Sequence, residues 1–461
     1  MEQGKLRILV GTVEIAGLIP AYAEGFRRLG HDVTTVIGFR HPFYSDFRYD
    51  VDISYTAPDL IRWPGWIADS RSPLVRLPRG AVNRVTRAAR WWSLVQRHDL
   101  FVFLWPAFSL THRNREYSLL RRLGKRIAIV FLGSDIRDIA AFLQQFPGLP
   151  RSEAFERELR EKYANLEGRP GTRFQDQLRT LRRAELHAHL ILSQPNQSVL
   201  AVRPYMHLFQ PVDLSGFVCH VPAREVPVVV HAPSNKGIKG TEAVLPALDR
   251  LRAEGVQFDL RLLHGVPNHE VLRQLTDADV AIDQLRLPLY GRFSLEAMAS
   301  GCALATCNRE DYEPYPSNRP IWHVDSDNIY EQLKRLLADR DLRTRLARGG
   351  RRYVEQYHDD GTVARRIVDL ACTDGAERCD HYPTFFAKRY QRPAGDAIPG
   401  DIQELTARVV RRWGLPPDVE LEDMIERGLM SGRGLSDGAG IRRWDPSLLG
   451  APHLGQSPAP E

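Results

Sequence analysis

One strand–loop–helix–strand pattern occurs twice in this chain, and it constrains the fold more than any other feature. Leu6-Arg7-Ile8-Leu9-Val10 is an apolar run of strand length, followed by a loop from Gly11 to Gly17. A helical pattern from Leu18 to Arg28, the turn Leu29-Gly30-His31 and an apolar run from Val33 to Ile37 complete the unit. About 220 residues later the order returns. A strand at Val226 to Val230 leads through the loop Ala232 to Gly240 into a helix from Thr241 to Glu254, then Gly255 turns into a strand from Phe258 to Leu263. Each unit opens a βαβ crossover, which builds a parallel sheet with its ligand crevice at the carboxyl ends of the strands. The chain therefore predicts an α/β protein of two Rossmann-like domains facing each other across a cleft.

The remaining segments fit that plan. Leu100 to Leu104, Arg126 to Phe131 and His189 to Ser193 supply strands of the first sheet, while Ala140 to Leu186 reads as charged and helical with a break at Gly168 to Gly171. In the second half, Asp279 to Asp283, Cys302 to Thr306 and Pro320 to Val324 read as strands. Asn328 to Ala338 and Asp341 to Tyr357 read as helices, the first with Asp327 as N-cap. The expected division is an N-terminal domain over residues 1–215 and a C-terminal one over 223–370, parted near Pro222. Residues 371–430 form an extension, and 431–461, rich in Gly, Pro and Ser, read as a disordered tail.

A hydrophobic fraction of 43% and a charged fraction of 26% are those of a soluble globular protein. No apolar run approaches the roughly 18 residues of a membrane span. The short run Leu6 to Val10, with Glu14 soon after, reads as a first strand and not a signal peptide. Five cysteines, an odd number without metal-ligand spacing, read as reduced thiols in a cytoplasmic protein. The net charge of +6 is carried overwhelmingly by arginine, so Lys236 and Lys239 inside one loop stand out. No nucleic acid is expected as a partner.

The second domain holds the segment with most chemistry, Tyr290-Gly291-Arg292-Phe293-Ser294-Leu295-Glu296-Ala297-Met298-Ala299-Ser300-Gly301. A strand ends at Asp283, a loop with Pro288 and Gly291 follows, and a helix opens with Phe293, Ser294, Leu295 and Glu296 in its first turn. Free N–H groups and the positive dipole end favour a phosphate there. Gly291 permits close backbone approach. Glu296 is too near such an anion to bind it, and accepting hydrogen bonds from ribose hydroxyls suits it better. In Ser234-Asn235-Lys236-Gly237-Ile238-Lys239-Gly240-Thr241, two ammonium groups between glycines can balance a diphosphate.

These two segments resemble the donor-site motifs of the retaining glycosyltransferases of family 4, which have the GT-B fold. The resemblance spans about Leu6 to Leu370, and it is strongest in the second domain. It implies a nucleoside-diphosphate-sugar donor, used as a co-substrate with no cofactor and no metal. It places Lys239 on the leaving diphosphate, Glu296 at the ribose, and Leu263-His264-Gly265-Val266-Pro267 beside the nucleobase. Gly11 and Gly17 flank the loop that lies against the diphosphate in the family. Phe131-Leu132-Gly133-Ser134-Asp135-Ile136-Arg137 is similar to a family segment facing the donor sugar, which makes Asp135 and Arg137 candidates for binding sugar hydroxyls or the acceptor; a helix-capping role for Asp135 is the structural alternative.

The chain departs from the family in three places. Pro288 stands where the first of two motif acids is expected, and Asp283 is the acid that could reach the same space. Leu132 replaces a histidine, and Ser234 or Asn235 replaces an arginine for which Lys236 can compensate. The triplets Asp277/Asp279, Asp325/Asp327 and Asp339/Asp341 sit at element boundaries and read as caps rather than a metal site.

The expected activity is thus a retaining, metal-independent transfer of a hexose to an acceptor that is a glycan, a lipid or a small molecule. Catalytic candidates are Lys239, Asp135 and Asp283. Two other readings share the fold: a nucleotide-sugar isomerase or hydrolase, and a non-catalytic sugar-nucleotide binder. From Arg71 to Arg97 there are seven arginines and no acid, with Val82, Val85, Ala89 and Trp92 on one helical face. Such a helix either covers its own sheet or lies peripherally on an anionic membrane at the inner face.

Overall fold

The computed structural model describes residues 4–39, 47–53, 64–68, 70, 72–106, 114–133, 135–148, 172–222, 224–309, 319–372, 379–391, 397–433 and 441–445. Two fully parallel sheets carry the fold. The first uses β1 (Arg7–Val13), β2 (Asp32–Phe39), β3 (Val51–Asp52), β4 (Leu100–Leu104), β5 (Arg126–Val130), β6 (Leu190–Ser193) and β7 (Met206–His207). Their order is β3-β2-β1-β4-β5-β6-β7, with Ile8 opposite Val33 on one side and Leu100 on the other. The second uses β8 (Val228–His231), β9 (Asp259–Leu262), β10 (Val280–Ile282), β11 (Ala303–Thr306) and β12 (Trp322–His323), in the order β12-β11-β10-β8-β9.

The sequence explains the parallel arrangement. Runs such as Leu100-Phe101-Val102-Phe103-Leu104 are apolar on both faces and fully buried, as strands between two helical layers must be. On one face of the first sheet lies α1 (Leu18–Arg28); on the other lie α2 (Pro73–Arg97), α3 (Glu116–Arg122) and α4 (Thr172–His187). The second sheet is flanked by α5 (Thr241–Ala253), α6 (Arg292–Ala299) and α7 (Arg340–Tyr357). Asp339 opens α7 by accepting a hydrogen bond from Leu342 N at 2.8 Å. Asp327 does not cap its helix; Asp325 accepts from the N–H groups of Asp327 and Asn328 instead.

The C-terminal part corrects the expected domain division. After α7 the chain crosses back, and α8 (Asp360–Cys372) packs on α1 of the first domain. Arg28 on α1 grips the crossover, donating to Asp360 at 2.9 Å and Asp213 at 2.8 Å. Residues expected to form a separate extension join the first core as well, since α9 (Gly400–Trp413) lies against α4. There the buried Arg182 donates to Glu185 at 2.6 Å and to Thr406 Oγ1 at 2.9 Å. Residues 441–445 are ordered rather than part of a loose tail: Arg443 pairs with Leu415, and the buried Trp444 donates Nε1–H to Trp413 O. Residues 431–433 are described as well, Ser431 N–H donating to Gln403 O at 3.2 Å, and the rest of the expected disordered tail, 434–440 and 446–461, lies outside the described residues.

Gly25 sets how closely α1 and α8 approach. A Cβ added there would stand 2.2 Å from the Asp360 carbonyl oxygen, a backbone atom that cannot swing away. Gly25→Ala is expected to push the crossover off α1 and to lower stability by about 1–3 kcal/mol, the usual cost of overpacking. Urea unfolding of the variant beside the parent checks this, and an unchanged midpoint would contradict the packing described.

Candidate functional site

In the second sheet the chain leaves β8 toward β9 on one side and returns through β10 to the other. The crevice at that switch, between the ends of β8 and β10, is where doubly wound sheets bind ligands. The loop after β8 is held in shape by its own polar groups. Asn235 Oδ1 accepts from Ile238 N at 2.8 Å and so winds Lys236 to Lys239 into one helical turn. Gly240 then reverses the chain at φ 72°, where an added Cβ would meet Leu285 at 2.9 Å. This turn delivers the Lys239 ammonium to the carboxylate of Asp283 at the end of β10.

Asp283 is almost wholly buried, and such a charge is tolerated only with strong partners. It has two. Besides Lys239 it accepts from Ser294 Oγ, a hydroxyl on the first turn of α6. One carboxylate thus joins the lysine loop, the end of β10 and the start of α6. The lysine also lies 6.0 Å from the centroid of the Phe293 ring. Gly291, extended at φ −110°, gives α6 no side-chain cap, so the first N–H groups of that helix are left for another acceptor.

These groups border a cavity of about 450 Å³ lined by Lys239, His264, Gly265, Asn268, Arg292, Phe293 and Glu296, among others, and by Ala16 of the first domain. Glu296 lies buried on its wall, accepting from Arg292 Nε at 3.0 Å and Asn268 Nδ2 at 3.3 Å. Burial pushes its carboxyl above the ordinary value, and Arg292 and Asn268 oppose the shift. Arg292 also donates to Pro211 O at 2.7 Å, which ties α6 to the segment joining the domains. His264 donates Nδ1–H to Pro233 O at 3.1 Å, and this fixes the ring at the cavity edge.

The structure brings together Lys239, Asp283, His264, Gly265, Phe293, Ser294 and Glu296. It separates other candidates. Lys236 is exposed and does not line the cavity; the second cation there is Arg292. Leu295 turns into the core of the second domain. Gly11 is inside β1, where an added Cβ would stand 2.4 Å from Val36 O, so its smallness serves the sheet. Gly17 donates its N–H to Glu14 Oε1 at 2.7 Å, and Ala16 is the residue of that loop which reaches the cavity.

Asp135, expected as a catalytic residue, is occupied within its own loop. It accepts from Gly133 N at 2.7 Å and Leu132 N at 3.1 Å, and burial raises its pKa to about 6. Arg137 is likewise engaged, donating to Gln197 Oε1 at 2.6 Å. Asp283 serves to hold Lys239 rather than to line the cavity. At the missing acid, the Pro288 carbonyl accepts from Asn196 Nδ2 of the first domain at 2.8 Å. Four of the triplet aspartates are engaged: Asp277 and Asp279 with Arg224, Asp279 also with Val228 N, Asp325 with the N–H groups of Asp327 and Asn328, and Asp339 as the cap of α7.

Two residues escaped the sequence reading. Arg292 stands four residues before Glu296, the helical spacing at which opposite charges meet, so a signal existed. Asn268 opens the helix Asn268–Leu275 that follows β9 and has no local signal.

Comparison with known proteins bears on this geometry. Residues 246–369, which contain α6 and its loop, match the family model described as "Glycosyl transferase-like". Among solved structures the chain is similar to sucrose-phosphate synthase from Thermosynechococcus elongatus, at 13% identity, with 79% of this chain and 98% of that one covered and a TM-score of 0.50. That likeness is one of fold, the two-domain GT-B arrangement. Weaker likenesses are to WaaG, a glycosyltransferase involved in lipopolysaccharide biosynthesis, at 12% identity, 80% and 100% coverage and a TM-score of 0.42. Another is to a putative UDP-N-acetylglucosamine 2-epimerase from Listeria monocytogenes, at 10%, 79% and 95%, and 0.43. None of the curated proteins compared matches the chain.

The buried pairing makes a stability prediction. Lys239→Met strands the Asp283 carboxylate and is expected to cost about 3–5 kcal/mol, as breaking a buried ion pair does. The double variant Lys239→Met/Asp283→Asn keeps the shape without the charge and should recover most of that loss. Chemical denaturation of both variants measures it; equal destabilisation would show that the pair is not coupled.

Proposed function

We propose that this protein is a glycosyltransferase that moves a hexose from a nucleoside diphosphate to an acceptor with retention of configuration. The observation that carries the reading is the cavity at the switch point of the second sheet. It offers Lys239 and the uncapped N-terminus of α6 to one anion, with Glu296 a turn further along the same helix. The match of residues 246–369 to a glycosyltransferase-like family supports it.

In this reading the nucleobase lies near His264 and Gly265, and Glu296, oriented by Arg292 and Asn268, accepts the ribose hydroxyls. The diphosphate lies at the start of α6 beside Lys239. The bond from the anomeric carbon to the diphosphate breaks and a bond from that carbon to the acceptor oxygen forms on the same face. The acceptor proton passes to the departing diphosphate, whose growing charge is stabilised by Lys239 and the backbone N–H groups of α6. The nucleotide sugar is a co-substrate, and the reaction as drawn uses neither cofactor nor metal.

Incubation with nucleoside-diphosphate hexoses, reading free nucleoside diphosphate and the anomeric configuration of the product, tests this. Epimerised sugar with the diphosphate still attached would establish an isomerase instead, and binding without turnover a non-catalytic protein. Lys239→Met/Asp283→Asn is expected to slow turnover by one to three decades, roughly 1.4 to 4 kcal/mol of transition-state stabilisation. Glu296→Gln should weaken nucleoside diphosphate binding by about 1–3 kcal/mol in calorimetry, because a charged acceptor is lost.

A further inference from the structure

Helix α2 is turned the wrong way round for a surface helix. Its C-terminal end is conventional: Leu94 and Val95 are buried against the first sheet with Trp91 beside them. Further toward its start the inward side becomes polar. Asn83, Thr86 and Arg90 are half-buried, and Arg79 donates to Ile67 O at 2.8 Å. The apolar residues face out instead: Leu74 is 86% exposed, Leu77 68%, Val85 67% and Trp92 42%. With the exposed Ala81 and Ala88 they recur every three or four residues and form one stripe along the helix. The alternative that Val82, Val85, Ala89 and Trp92 cover the first sheet is therefore corrected, because all four are exposed. A stripe of this kind on a soluble domain marks a contact surface.

A second feature bears on what the stripe could meet. Helices α2, α3, α4 and α9 share one core on the same face of the first sheet. On that face a cavity of about 540 Å³ opens among α3, α4 and α9, lined by Arg115, Arg121, Arg122, Arg183, Arg408 and Arg412. No described residue lining it is acidic. The field is strong enough to act on its neighbours. Burial, with Arg408 and Arg121 adding to it, lowers the His187 pKa to about 4, and burial with Arg412 and Arg126 lowers that of Arg121 to about 10. On α2 itself arginine recurs from position 71 to 97 with no acid between. A second copy of the chain would set this arginine-rich face against itself, which like charges oppose.

We propose that the outward stripe of α2 and the arginine cavity among the helices of the same sheet face form one docking surface for an anionic lipid bilayer. The helix lies in the interfacial plane with its apolar residues among the acyl chains, and the guanidinium groups pair with lipid phosphates. From Leu74 to Trp92 the stripe runs about 27 Å at the helical rise. Among the described residues no helix is long and apolar enough to cross a membrane, so this contact is peripheral. The proposal does not depend on the sugar-transfer reading.

Flotation of the full chain with vesicles of phosphatidylcholine alone, and of equimolar phosphatidylcholine and phosphatidylglycerol, tests it. Binding is expected only to the anionic vesicles and should fall steeply as salt rises above about 0.15 M, where screening shortens electrostatic reach. Leu77→Glu/Val85→Glu changes two exposed residues, so its melting curve should match the parent while the bound fraction drops about tenfold. Arg122→Glu/Arg408→Glu should weaken binding to anionic vesicles in the same direction. Equal flotation on both vesicles, flotation on neither, or parental binding by either double variant would overturn the proposal. So would a concentration-dependent dimer in sedimentation that Leu77→Glu/Val85→Glu abolishes, since it would assign the stripe to a second copy.

Discussion

The carboxylate of Asp283 is the point on which the candidate site depends. Almost wholly buried, it requires compensation, and it takes one ammonium from the loop after β8 and one hydroxyl from the start of α6. Three segments, the first 44 residues before the second and the third 11 residues after it, are thereby held in one geometry. Held there, the lysine is already in place for the anion proposed at the helix start and would lose little side-chain freedom on binding it. The local charge is the reason for the arrangement and also its cost, since the lysine is shared between Asp283 and any ligand.

Around this point the two domains are tied by a few directed contacts. Arg292 reaches Pro211 in the connecting segment, Asn196 reaches Pro288, and Arg28 grips both crossings at Asp213 and Asp360. Tyr290 and Tyr353 meet at 2.9 Å through their hydroxyls, and His358 donates to Gln210 O beside them. Hydrogen bonds of this kind fix an angle while burying little apolar surface. The cleft wall formed by Ala16 is positioned by the same crossover, because α1 begins directly after that loop and carries α8 on its outer side.

The first domain shows a contrasting principle. Its inner face is a conventional core, whereas its outer face combines an apolar stripe with a basic cavity. Neither feature stabilises the isolated domain: exposed apolar groups gain nothing there, and gathered arginines repel one another. That arrangement fits a surface completed by something outside the chain.

The sequence by itself determined the two parallel sheets, because strands buried on both faces must be apolar throughout and the intervening periodicity is helical. It also singled out Lys239 and Glu296, which line one cavity, since glycine punctuation and a charged first helical turn are local signals. Whether an acid is free or engaged was decided only by tertiary structure. Asp135 and Asp283 look alike in sequence as acids after strands, yet one closes its own loop and the other anchors a lysine 44 residues away. The return of 360–372 to the first domain, and the outward turn of α2, were likewise invisible. Helical periodicity says that a face is apolar, but not what it faces; that depends on which surfaces the rest of the chain has already covered.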